Sequence, residues 1–342
     1  MKIDIILDPT HTTEEFSELG VIAEKLGFNA VLTANYPSAI DPFINFSILA
    51  KATQKIRMGP VAISPFETHP LKLSNLLYGL NQLSKGRAKI VIGGGGGTLI
   101  SMGLKSNRRT MHPNMVQGVR ECVEFIKRSA TEKPLDFIGQ AFQIHGYHPD
   151  WAIDSPPQLY IAASKDQMLR LAARAADGLM LSDTPLQLIH ATMNVIYKAL
   201  EDSGRSKSDF RVSNLVSWHV KADRAQAVRE ARAKLFVRGL LDKMYTSTFM
   251  DADDSTFVEK NLGAFAKAYA ANSPVIEGVP DRIVDTLVEH LTLTGDLDEV
   301  DALTDRIMSY QRAGVDEFAI RLYGQPEDSI RLLGERVVPA LQ

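Results

Sequence analysis

Residues 55–97, KIRMGPVAISPFETHPLKLSNLLYGLNQLSKGRAKIVIGGGGG, read as strand, loop, helix, tight turn, strand and then five consecutive glycines. From 56 to 63 the chain is mostly apolar, with Val61 and Ile63 β-branched, as in a strand buried on both faces. Leu76, Leu80 and Leu83 keep a helical spacing through 71–83. Ser84-Lys85-Gly86 closes that helix, glycine taking the left-handed conformation that a β-carbon hinders. Residues 88–92 form the next strand, so the stretch is one strand–helix–strand unit whose second strand ends in a loop without side chains. Ligands bind at the carboxyl ends of parallel strands. Backbone N–H groups that carry no β-carbon can approach a flat ring or a phosphate closely. The alternative is a flexible loop that tolerates glycine. The run is not a dinucleotide fingerprint, because no acidic residue stands about 20 residues on at the end of a following strand.

The same alternation extends outward in both directions. Residues 3–7 form a strand ending at Asp8-Pro9, and Thr12 or Thr13 caps a helix with the apolar stripe Phe16, Leu19, Ile22, Ala23, Leu26. Residues 29–33 are the second strand, and Asp41-Pro42 opens a second helix. Past the glycines come a helix over 114–128, a hairpin in 135–148 turning at Gly139-Gln140, and strands over 158–162, 178–181, 211–220 and 317–322. Leaving the hairpin aside, eight strands alternate with helices, the number that closes a (β/α)8 TIM barrel. The expected organisation is one α/β domain over 1–342 with insertions near 98–155 and 245–280, the second made of short helices and loops.

Composition narrows the function. A net charge of -3 without a basic run gives no reason to expect nucleic acid. The single cysteine, Cys122, allows no internal disulfide framework and fits a reducing cytoplasm; its helical surroundings mark it as packing. No long apolar run suggests a membrane span, and the start has no signal-peptide layout. His145 and His148 lack a third partner at metal-ligand spacing, so no metal site is expected.

The succession DPF (41–43), LAKATQKIRMGP (49–60), HPLKLSNLLYGLNQLSKGR (69–87), LYIAAS (159–164) and ADGLMLS (176–182) resembles the luciferase-like superfamily. GRSKSDF (204–210), AGVDEF (313–318) and ERVVPAL (335–341) extend the likeness over nearly the whole chain. Members are barrel oxidoreductases using FMN or the deazaflavin coenzyme F-420, and the Met58-Gly59-Pro60 strand is similar to that of the methylenetetrahydromethanopterin reductase branch. The resemblance implies a non-prolyl cis peptide at Val61-Ala62, after Pro60, bulging against the cofactor ring. It places Gly94, Gly95, Gly96 and Gly97 along the ring edge or tail, and Ala162, Ala163 and Ser164 at the ribityl chain and phosphate.

One departure bears on mechanism. Asn35 stands where these families commonly place an acid/base histidine, and Ala34 replaces an acidic neighbour. An amide cannot transfer a proton at neutral pH. Asp8 and His11, with Tyr36 and His69, are the other candidates near strand ends, unless the reaction needs no protein acid. Three functions follow from the resemblance: a deazaflavin-dependent hydride-transfer enzyme acting on a small organic substrate, an FMN monooxygenase fed by a partner flavin reductase, or a flavin-binding relative without turnover. A homodimer through the early helices is expected, with Leu76, Leu77 and Tyr78 making 71–83 apolar on more than one side.

Overall fold

A computed structural model describes residues 1–95, 97–104 and 108–341. Its strands are β1 (Lys2–Leu7), β2 (Ala30–Thr33), β3 (Arg57–Ile63), β4 (Lys89–Ile92), β5 (Leu135–Ile138), β6 (Gln143–Tyr147), β7 (Gln158–Ala162), β8 (Gly178–Ser182), β9 (Arg211–Val220), β10 (Thr292–Gly295) and β11 (Glu317–Arg321). The main sheet runs β10-β9-β11-β1-β2-β3-β4-β7-β8, and β8 pairs again with β9. Eight of its strands therefore return on themselves as a (β/α)8 barrel, and β5–β6 is the separate antiparallel hairpin. The strand missing from the sequence reading is β10, which pairs with Ser217–Val220 at the end of β9. It is four residues long and follows directly on the helix Asp281–Leu291, so no turn signal announces it.

By its internal contacts the chain divides into two units, one of residues 4–180 and 195–211, the other of residues 1–3, 181–194 and 212–342. In the first, helices Thr13–Lys25 and Pro42–Ala52 meet through an edge-on pair, Phe16 and Phe46, 5.4 Å between centroids. Thr12 and Glu15 form a reciprocal capping box at the first helix. Two charged side chains set the amino ends of the strands. Glu24 accepts backbone N–H bonds from Gln54, Lys55 and Ile56 just before β3. Burial pushes its carboxyl pKa up, but those donors outweigh it and hold the group below its ordinary range. Arg87, before β4, donates to the carbonyls of Ala50, Thr53, Ile56 and Ser84. Between the strands, Gly59 lets the Lys89 carbonyl approach where a Cβ would overlap it. A fully buried ion pair, Lys89 Nζ to Asp4 Oδ2 at 2.8 Å, joins β4 to β1. Asn29 donates to the other Asp4 oxygen at 2.5 Å, and Lys89 sits 4.2 Å from the Tyr160 ring centre.

The second unit packs Val284, Leu287 and Leu291 against Tyr245, Phe265 and Ile276. The region expected as short helices contains Lys243–Thr246, Ala252–Lys260 and Leu262–Ala270. At and just past the carboxyl ends of β8, β9 and β11 lies a buried polar chain. Asp183 Oδ1 accepts from Arg238 Nη1 at 2.9 Å, and its other oxygen from the Gly239 N–H at 2.9 Å. Arg238 Nη2 donates to the Tyr323 hydroxyl at 3.1 Å, and the Tyr323 ring stacks on His219 at 5.1 Å. His219 Nδ1 lies 2.8 Å from Glu230 Oε1.

Candidate active site

The site begins where β3 departs from regular pairing with β4. Val61 is opposite Val91 and Ile63 opposite Ile92, so Ala62 is the extra residue of a bulge. The Val61-Ala62 peptide is cis. Gly93, directly after β4, returns its N–H to the Ile63 carbonyl at 3.0 Å. A Cβ on Gly93 would stand 3.3 Å from the Ala62 Cβ and 3.4 Å from the Ala162 Cβ. Three carboxyl ends, those of β3, β4 and β7, thus converge on Ala62, Gly93 and Ala162 with nothing larger than a methyl group. Val61, Ala62 and Ala162 are half-buried rather than sealed. The result is a small-residue floor that can lie flush against a flat ring.

The floor continues into the glycine loop. Gly95 has φ +89° beside Leu99 and Ser64, a conformation glycine takes freely. Gly97 opens the short helix Gly97–Ser101, and Gly96 lies outside the described residues. On the β7 side, Ala163 is buried and its N–H is taken by the Met180 carbonyl at 3.1 Å, whereas Ser164 is exposed. The helix Asp166–Ala175 follows with no side chain capping its amino end. Its first N–H groups are the donors there for an anion.

Asn35 ties three loops together. Its side-chain amide donates to Glu67 Oε1, in the loop after β3, and its backbone carbonyl accepts from Thr98 Oγ1, after β4, at 3.1 Å. Glu67 is half-buried. Burial pushes its carboxyl pKa above the usual range; the Ser64 backbone and Asn35 pull it down, and the Asp41 charge raises it again.

The luciferase-like monooxygenase family matches residues 3–317. The chain belongs to that family. It is 25% identical to 5,10-methylenetetrahydromethanopterin reductase of Archaeoglobus fulgidus, covering 100% of both chains. It is 23% identical to the enzyme of the same name from Methanopyrus kandleri, over 99% of this chain and 98% of that one. Among solved structures, the coenzyme F-420-dependent tetrahydromethanopterin reductase from Methanopyrus kandleri superposes with TM-score 0.84 at 20% identity, covering 100% of this chain and 99% of that one. An F-420-dependent secondary alcohol dehydrogenase in complex with an F-420–acetone adduct superposes with TM-score 0.78 at 19% identity, covering 100% of both.

On this luciferase-like barrel the other sequence candidates have local partners. Asp8 accepts from the Thr10 N–H and hydroxyl at 3.0 and 2.7 Å, an Asx turn past β1. His11 Nδ1 lies 3.9 Å from Glu15 Oε2. His69 caps the helix Pro70–Leu83, its Nδ1 accepting from the Leu71 N–H at 3.3 Å. Cys122 is buried, and burial pushes its thiol pKa up, so it is packing. Trp218 fills the interior, 1% exposed. Two residues of the site are missing from the sequence reading. Gly93 belongs to the floor although it precedes the loop proper. Glu67 lies in SPFETHP, which carries no periodicity to flag a carboxylate.

Proposed function

We propose that the chain is an oxidoreductase that transfers a hydride between a reduced deazaflavin, coenzyme F-420, and a small organic substrate. The observation carrying this reading is the floor of Ala62, Gly93 and Ala162 at three carboxyl ends, which suits a tricyclic ring. In this reading Pro60, Val61 and Ala62 back the ring, Gly94, Gly95 and Gly97 follow its edge, and Ala162, Ala163 and Ser164 lead to the phosphate. With the Ala163 N–H already taken, Ser164 and the uncapped amino end of Asp166–Ala175 receive the anion. The cofactor supplies the hydride when bound. The protein's share is to hold the ring, orient substrate and manage the proton.

F-420 is favoured over FMN by the likeness to the two F-420-dependent structures, TM-scores 0.84 and 0.78. FMN is the second reading, supported by the fold neighbour described as a Baeyer-Villiger monooxygenase in complex with FMN, TM-score 0.67. In that case a flavin reductase would be the partner. Among the described residues no helix is long and apolar enough to cross a membrane. The assembly we propose is a homodimer, but through different residues than Leu77 and Tyr78, which are buried within the chain. Ile44 and Ile48, exposed at 56% and 40% one helical turn apart, with Leu76 and Leu83, are exposed apolar residues of the early helices that a second copy would cover.

Titration with oxidised F-420 and with FMN, read by quenching of protein fluorescence, tests the reading. Micromolar binding of one, lost in Ala162→Phe, is expected. A folded protein that binds neither overturns it.

A further inference from the structure

We propose that Glu67, oriented by Asn35, is the proton donor and acceptor of the site, in the office that the resemblance gives to a histidine at position 35. This rests on the reading above. Where the resemblance places an ionisable group this chain has an amide donor, and that amide holds a carboxyl from the neighbouring loop. The backbone carbonyl of Asn35 accepts in turn from the Thr98 hydroxyl, which fixes the main chain that carries the amide. All three groups sit past the carboxyl ends of β2, β3 and β4, and two of those strands, β3 and β4, also contribute to the floor. The groups acting on Glu67 are Asn35 and Asp41 from the segment after β2 and Ser64 from its own loop. Asp41 already accepts from the Phe43 N–H at 2.9 Å as a helix cap, and His69 is spent on the next helix. Half-burial keeps the proton on Glu67 to higher pH than on an ordinary glutamate, the direction a proton donor needs.

The step balances. The reductant, a reduced deazaflavin or flavin, provides two electrons with one hydrogen to the substrate's electrophilic carbon. The substrate heteroatom takes the Glu67 proton as the carboxyl O–H bond breaks, its electron pair staying on the carboxylate. Water then reprotonates the carboxylate. In the opposite direction Glu67 accepts the proton.

Infrared titration tests this without turnover. The band of the protonated carboxyl is taken as wild type minus Glu67→Gln, with Glu67→Asp as the second variant should the first fail to fold. The expected band persists above the ordinary glutamate range of about 4.3. Asn35→Ala moves its titration to still higher pH, because the amide favours the ionised form. Saturation with whichever oxidised cofactor binds also moves it. A band titrating in the ordinary range, or one unmoved by a cofactor that demonstrably binds, overturns the assignment alone. Failure of both cofactors to bind removes the functional reading and this assignment with it.

Discussion

The strand ends of the two units are built on opposite plans. In the unit containing β3, β4 and β7, they are reduced to Ala62, Gly93 and Ala162, and backbone does the shaping. In the unit containing β9 and β11, they run into Asp183, His219 and Tyr323, joined through Arg238 and Glu230. Small residues keep room for a ligand by leaving side chains out, and they tolerate little growth. Buried charges keep shape by pairing, since each is expensive to desolvate and is compensated only while its partner is present. A ligand surface and a rigid frame therefore answer differently to substitution.

The largest effect is expected at the frame. Arg238→Met leaves Asp183 buried with its ion-pair partner gone, and should cost about 3–5 kcal/mol in urea unfolding. A loss below about 1 kcal/mol would show that Asp183 is carried as the neutral acid, toward which burial pushes it. At the floor, Ala162→Phe should weaken cofactor binding by at least about 100-fold, or about 2.7 kcal/mol, with cooperative unfolding kept. Equal affinity in variant and wild type would move the ring elsewhere. A third substitution lies outside both sets of strand ends. Glu121, 2% exposed, accepts from the N–H groups of Gln140, Ala141 and Phe142 and so holds the hairpin turn. Glu121→Gln should cost about 1–3 kcal/mol by the same measurement.

The smallest effect is one of pH. Burial lowers the His219 pKa more than Glu230 raises it, so the folded protein prefers the neutral ring. Its folded value lies below the unfolded one of about 6.5. Its contribution is therefore present above about pH 6.5 and is lost as pH falls through the folded value. Chemical unfolding midpoints should drop on acidification, and drop less in His219→Gln. An identical decline in both would exclude His219 as a source.

Much of the frame was legible because it is periodic. Eight strands and the hairpin stand out as short apolar runs between helical stripes, and the glycine run marks a strand end without any tertiary information. β10 was not legible, since four residues abutting a helix carry too little pattern. The site divides in the same way. Val61 and Ala62 could be placed through the resemblance, but Glu67 could not. It is singled out only by meeting Asn35 across 32 residues of sequence, a fact of topology rather than of composition. Asp8 and His11 drew notice as ionisable groups near a strand end, yet their nearest uses are an Asx turn and a helix neighbour.

The pair of Lys89 and Asp4 spans 85 positions. On the ribosome, Asp4 emerges long before Lys89 has been synthesised. Burying β1 before then would place the Asp4 carboxylate away from water without its ion-pair partner. The full burial of Asp4 on β1 therefore needs a residue of the fourth strand. The ion pair thus links the burial of the first strand to a lysine translated 85 positions later.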